Sequence, residues 1–207
     1  MDLAGFTALT EAHGDAEAVL QLDRFQSITL GALGPGDHLV KTIGDAVMVI
    51  FSEPSAAVSA MGRLFVAMAD SGLPSGRAGL HHGRAIKRKG DYFGASVNLT
   101  ARVAGQAHGG QLLATTEVAE AARGLGVAVV DLGCFELRNI AEPVELFELE
   151  VFPLSAGTAT DPVCRMQVAR ASAAGRLRHG DRDYWFCSLR CAGIFAADPD
   201  RVLDQLA

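Results

Sequence analysis

Between residues 15 and 30, Val19, Leu22, Phe25 and Ile28 recur at roughly helical spacing, which predicts a helix there. Gly31, Gly34, Pro35 and Gly36 then break the chain. Residues 38–43 and 46–51 are two short apolar runs joined at Gly44-Asp45, the pattern of a β-hairpin. The second run is apolar on both faces, so it predicts a central, covered strand. Ala57, Met61, Leu64, Phe65 and Met68 fall at i, i+4, i+7, i+8 and i+11, one stripe of an amphipathic helix. Strands are expected over 78–82 and 84–86 around Gly83. A helix is expected over 93–107, ended by Gly109-Gly110. Further strands are expected over 111–114, 127–131 and 144–151, with a short helix over 117–123. Helices alternate with strands but hairpins also occur, so the expected fold class is an α/β (α+β) sandwich on a mixed or antiparallel sheet. Residues 153–160 are rich in Pro, Gly, Ser and Thr and read as a linker. This divides the chain into 1–152, a linker, and 161–207. No internal repeat or low-complexity tract interrupts this order.

Composition narrows the functional classes. With 207 residues, 49% of them hydrophobic, the chain can bury one ordinary core and a small appendage. The formal net charge of −6 leaves no general basic field, which argues against a nucleic-acid partner; Lys87-Arg88-Lys89 is only a local cluster. The longest apolar run, 46–51, is strand-length and far short of the ~20 residues that span a bilayer, so no membrane insertion is expected. No basic segment precedes an apolar stretch at the start, so no signal peptide is expected and the composition reads as cytoplasmic. Four cysteines in such a chain are metal ligands or free thiols sooner than disulfides. Three of them, Cys164, Cys187 and Cys191, cluster near the C-terminus and suggest a second module. Cys134 falls in an expected strand and reads as a plain core residue.

Asp2 sits where a first strand would end, and Asp45 at the tip of the hairpin. If those strands are neighbours, both carboxylates point at one place. Either Asp alone would read as a turn or cap residue. The pair has company in four segments: Asp2-Leu-Ala-Gly-Phe-Thr7, Lys41-Thr-Ile-Gly-Asp45, Gly90-Asp-Tyr-Phe-Gly94 with Ser96-Val-Asn98 and Arg102, and Gly109-Gly-Gln-Leu112. In order and spacing together they resemble the class III adenylyl and guanylyl cyclases, over residues 1 to about 150.

The resemblance implies a reaction in which the 3′-hydroxyl of a nucleoside triphosphate attacks its own α-phosphorus and pyrophosphate leaves. It places two divalent ions, Mg²⁺ or Mn²⁺, at Asp2, Leu3 and Asp45. Gly5, Phe6 and Thr7 open a helix whose N–H groups suit phosphates, although the same residues also make an ordinary strand-to-helix turn. Asn98 and Arg102 lie four apart on one helix face. The resemblance assigns the Asn to the ribose and the Arg to charge building on the α-phosphate; a solvated polar face explains the Arg equally well. Lys41 and Asp91 fall on base-reading positions, a donor for a ring nitrogen and an acceptor for the exocyclic amine of adenine, so the implied substrate is ATP. Guanylyl cyclases resemble this pattern with Glu and commonly Cys at those places. Arg138, in Leu137-Arg-Asn-Ile140, matches a Leu-Lys-Gly segment whose basic residue touches the outer phosphates, with Asn139 in place of Gly. One chain holds both half-sites, so a homodimer with two shared sites is implied. The family's first strand runs several residues ahead of the first metal Asp, whereas here one residue precedes it, so a shortened first strand is expected.

Asp161-Pro-Val-Cys-Arg-Met166 and Tyr184-Trp-Phe-Cys-Ser188, with Cys191 and Phe195, resemble the YHS domain, a short treble-clef-like module associated with heavy metals. Arg165 stands in place of its usual Gly. Cys187 and Cys191 are four apart, as if on one helix face. Cys164 would come from the preceding turn, and His179 is the natural fourth candidate. Three thiolates and an imidazole suit Zn²⁺ or Cu⁺. The alternative is a set of buried thiols packed by Trp185, Phe186 and Phe195. The reading as a whole is an adenylate cyclase regulated by a metal-binding module. Its alternatives are a guanylate cyclase, and a non-catalytic dimerising or nucleotide-sensing domain joined to a metal sensor.

Overall fold

The computed structural model describes residues 1–151 and 157–204. The chain begins with β1 (Asp2–Leu3), α1 (Phe6–His13) and α2 (Asp15–Ala32). A hairpin follows, β2 (His38–Ile43) and β3 (Ala46–Ile50), then α3 (Pro54–Ser71) and β4 (Gly76–Leu80). β5 (Ile86–Arg88) and β6 (Asp91–Phe93) form a small ribbon ahead of α4 (Ala95–Gln106). β7 (Leu112–Ala114), α5 (Thr116–Gly124), β8 (Ala128–Phe135) and β9 (Val144–Glu150) complete the larger unit. Beyond it lie β10 (Thr158–Thr160), β11 (Gln167–Ala169), β12 (Gly175–His179), β13 (Arg182–Phe186), α6 (Leu189–Ala197) and α7 (Pro199–Asp204).

Seven strands form one mixed sheet in the order β2-β3-β1-β4-β7-β9-β8. Every pairing in it is antiparallel except β4 with β7, which are joined by the α4 crossover and run parallel. The α+β class expected from the sequence is the class found. The hairpin closes on Gly44-Asp45, and Gly44 takes φ 60°, which a glycine at the first central turn position supplies without strain. Met61, Leu64, Phe65 and Met68 of α3 are buried as the stripe required. Each such burial contributes roughly 1.5–3 kcal/mol. Val103 of α4 and Ala107, which follows the helix, join Leu113, Leu137 and Leu146 in a second core cluster.

β1 is central but only two residues long; Asp2 pairs with Ala46 on one side and Arg77 on the other. Met1 adds one rung, its carbonyl accepting from Val47 N at 2.8 Å. β3 and β4 run on past it, and Met48–Ile50 and Ala78–Leu80 line a cavity of about 430 Å³ together with Ala57, Met61 and Leu64.

Gly79 fixes how closely α4 lies on the sheet. A Cβ there would stand 2.8 Å from Cα of Ala104 and inside contact range of its nitrogen. Gly79→Ala must therefore move helix backbone, since no flexible side-chain tip is in the way. The expected loss is about 3 kcal/mol of stability, read as a lowered urea midpoint with an unchanged m-value. An unaltered midpoint would show that α4 yields freely.

The chain separates into two compact units. One comprises Met1–Leu3, Gln26–Ala67 and the segment from Gly76 to the end of β9. The other takes in Ala4–Phe25 and Met68–Ser75 as well as the cysteine-bearing C-terminal elements. These units do not follow the sequence boundaries at 152 and 161, because α1 and half of α2 group with the C-terminal part. In that second unit Ala12 of α1 is buried with Cys164, Phe186, Cys191, Phe195 and Val202. Of the expected linker, 153–156 lie outside the described residues, and Thr158–Thr160 form β10, paired with β11.

Three local expectations need correction. The strand expected over 84–86 begins at Ile86 and turns back at Lys89-Gly90 into β6, so α4 starts at Ala95 and not at 93. Cys134 is exposed on β8, not in the core. Cys187 precedes the Ser188 N-cap of α6, so only Cys191 is helical.

Candidate active site and cysteine cluster

Asp2 ends up beside Asp45 because β1 pairs with β3 where the hairpin turns: Asp2 faces Ala46, the neighbour of Asp45. Arg77, opposite Asp2 on β4, donates from Nε to Asp2 Oδ1 at 2.5 Å. Burial pushes the Asp45 carboxyl up from its ordinary range, and the Asp2 charge adds to the rise. Two carboxylates that press on each other in a half-buried place form an oxygen donor set suited to a hard divalent cation. The Leu3 side chain is buried, 2% exposed, so its main-chain carbonyl is the one oxygen it has to offer. Arg77 was not singled out from the sequence; its signal is one charge inside the otherwise buried strand Gly76–Leu80.

Lys41 and Asp91, fifty positions apart, meet: Nζ lies 2.5 Å from Oδ2. β2 supplies the Lys and the β5–β6 ribbon the Asp. Asp91 Oδ1 also accepts from Tyr92 N at 2.7 Å. The Lys41 hydrogen bond, and after it that N–H, hold the Asp91 carboxyl below the usual carboxylate range. Both side chains remain partly open to solvent, so the pair is loosely held and free to exchange for a ligand.

Asn98 and Arg102 share the exposed face of α4, and among the described residues neither side chain makes a hydrogen bond or ion pair. Gly5 takes the left-handed conformation before α1, φ 85°, and no side chain caps the first turn, where Phe6 and Thr7 stand. Arg138 is exposed; the following Asn139 has φ 64°, the conformation for which glycine is usual and Asn tolerated.

In the second unit, Cys164 Sγ lies 3.4 Å from Cys187 Sγ, which lies 3.7 Å from Cys191 Sγ. His179 is not with them: its Nε2 is 2.9 Å from Asp200 Oδ1 at the surface. His13, the last residue of α1, takes that place, with Nε2 3.5 Å from both Cys187 and Cys191. No spacing rule reaches a ligand more than 150 positions away.

No protein-family model matches the chain. It is 36% identical over 121 residues to a pH-sensitive adenylate cyclase of Mycobacterium tuberculosis, covering 58% of this chain and 30% of that protein. It is 35% identical over 104 residues to an adenylate cyclase of Streptomyces griseus, 49% of this chain and 26% of that one. The chain thus spans about a third or less of the length of these relatives. Among solved structures, an adenylate cyclase of Trypanosoma brucei superposes with a TM-score of 0.62 at 24% identity, over 73% of this chain and 86% of the other. The guanylyl cyclase Cya2 does so with 0.57 at 20%, over 75% and 91%. No helix among the described residues is long and apolar enough to cross a membrane. The seven-stranded sheet and its helices therefore have the fold of the nucleotide cyclase structures on which they superpose.

Proposed function

We propose that this protein is an adenylate cyclase, converting ATP to 3′,5′-cyclic AMP and pyrophosphate at sites shared by two copies of the chain. The observation that carries the choice is the Lys41–Asp91 pair: a donor and an acceptor held together, matching the ring nitrogen and exocyclic amine of adenine. Adenylate cyclases among the relatives support the same reading.

Asp2, Asp45 and the Leu3 carbonyl would hold the divalent ions, Mg²⁺ or Mn²⁺. When bound, these ions make the 3′-hydroxyl easier to deprotonate and neutralise the phosphates. Arg77 keeps the Asp2 carboxylate aimed from the neighbouring strand. Lys41 donates to the adenine ring and Asp91 accepts from its amine. Asn98 orients the ribose, and Arg102 offers its planar fork to the charge that grows on the α-phosphate in the transition state. Gly5, Phe6 and Thr7 open α1 with uncapped N–H groups of the kind that suit phosphates, and Arg138 is assigned to the outer phosphates. Ile43, Ile86 and Phe93 are large apolar residues left 60%, 71% and 50% exposed in the same unit as Asp2, Lys41, Asp45, Asp91, Asn98 and Arg102, as expected of a surface covered by a second copy. The C-terminal elements are read as a YHS module that reports metal supply to the cyclase.

Direct assay tests the activity: the longest reading frame of the gene should form cyclic AMP from ATP with Mg²⁺ or Mn²⁺, and no product with either ion would reject the reading. Base choice is tested separately. Lys41→Glu with Asp91→Cys mismatches two hydrogen-bonding groups and should lower kcat/KM for ATP by about 10³-fold, while GTP use rises. A wild-type enzyme that prefers GTP would overturn the assignment to adenine.

A further inference from the structure

The cysteine cluster has the dimensions of a metal site. For an ion with metal–sulfur bonds of about 2.3 Å and a metal–nitrogen bond of about 2.0 Å, tetrahedral coordination sets sulfurs about 3.8 Å apart and sulfur to nitrogen about 3.5 Å. The edges found are 3.4 and 3.7 Å between sulfurs and 3.5 Å twice between sulfur and nitrogen. All four ligand atoms lie within 4.8 Å of one another. The sulfurs are far beyond the ~2.05 Å of a disulfide. Nor is this ordinary apolar packing, because the His13 Nε2 has the two sulfurs as its only partners among the described residues.

The surroundings hold the ligands in place. Asp161 is fully buried and accepts from both cysteine-bearing segments: Oδ1 from Val163 N at 2.9 Å and Cys164 N at 3.4 Å, Oδ2 from Cys187 N at 2.8 Å. Ser188 Oγ accepts from Cys191 N at 3.2 Å. Such outer partners fix ligand orientation. Helix α1 meets the same module elsewhere too. Ala12 is buried in its core, and a Cβ on Gly5 would run into the Arg165 side chain.

We infer that His13, Cys164, Cys187 and Cys191 form a tetrahedral Zn²⁺ site in which α1, the helix that follows Asp2 in the chain, supplies the fourth ligand. The C-terminal module is then not a self-contained metal domain: loading it immobilises the end of a helix from the N-terminal part. Four ligands favour Zn²⁺ over Cu⁺, for which three thiolates would serve without the imidazole. This inference does not depend on the cyclase reading, since it is read out by metal and not by product.

The test uses the full chain. Wild type should carry one Zn²⁺ by elemental analysis. In competition with a chromophoric chelator, His13→Ala should weaken Zn²⁺ binding by about 100-fold or more, since even outer-shell changes cost 10–100-fold. His13→Cys, which restores a fourth ligand, should recover most of it, and His179→Ala should match wild type. With Co²⁺ as the probe, the visible bands of a tetrahedral thiolate site should change in His13→Ala. Hydrogen exchange over residues 6–13 should slow on adding Zn²⁺ in wild type and not in His13→Ala. A His13→Ala protein with wild-type affinity and an identical Co²⁺ spectrum would remove His13 from the site. A wild-type chain that binds neither ion would remove the site altogether.

Discussion

Asp45→Ala should lower kcat for cyclic AMP formation by about 10³-fold or more, because losing one carboxylate of the proposed two-ion site would remove several kcal/mol of transition-state stabilisation. Stability should move the other way or not at all. Burial, and the Asp2 charge after it, work against the ionised Asp45 side chain in the metal-free protein. Removing the group relieves that cost, and no hydrogen bond from the Asp45 side chain to another residue is lost among the described residues. The melting temperature of the variant should therefore equal or exceed that of wild type. Loss of activity with retained stability separates a ligand role from a structural one. Loss of both would mean that Asp45 holds the hairpin, and wild-type activity would remove it from the mechanism. Excess Mn²⁺ should not restore the rate, since the missing element is a donor atom and not ion occupancy.

Period and punctuation were enough to read the long elements. The stripe from Ala57 to Met68 is α3, and two apolar runs around Gly44-Asp45 are the β2–β3 hairpin, because many residues repeat one signal there. The β5–β6 ribbon escaped notice for the opposite reason. Three residues per strand carry no period, and Lys87-Arg88-Lys89 reads as solvated charge. The pairing of Lys41 with Asp91 was legible as chemistry but not as contact, since nothing local joins positions fifty apart. Arg77 and His13 were missed because their partners are made by sheet pairing and by tertiary packing. Two departures from the resembled sequence patterns fall at positions whose backbone is one that glycine favours. Asn139 and Arg165 stand where glycine is usual, and both hold positive φ, 64° and 66°. The backbone shape is kept and the side chain is new; at Arg165 that side chain lies against Gly5.

Mixing two dead proteins should restore activity, and this is the sharpest test of how the sites are shared. Arg102→Ala alone should be inactive, because Arg102 is exposed and free to reach a ligand held by another copy. In a dimer of Asp45→Ala with Arg102→Ala, one site takes its carboxylates from the defective chain and its guanidinium from the other defective chain. The second site takes intact carboxylates and an intact guanidinium. At equilibrium half of the dimers are mixed and each has one good site of two, so the mixture should show about a quarter of wild-type activity. The apolar residues Ile43, Ile86 and Phe93 give the association a physical basis, and replacing Ile86 by a charged residue should reduce the recovered activity by weakening the dimer. If labelled chains are shown to exchange and the mixture stays inactive, each site is built from a single chain. The exposed face of α4 would then have to serve the carboxylates of its own protomer.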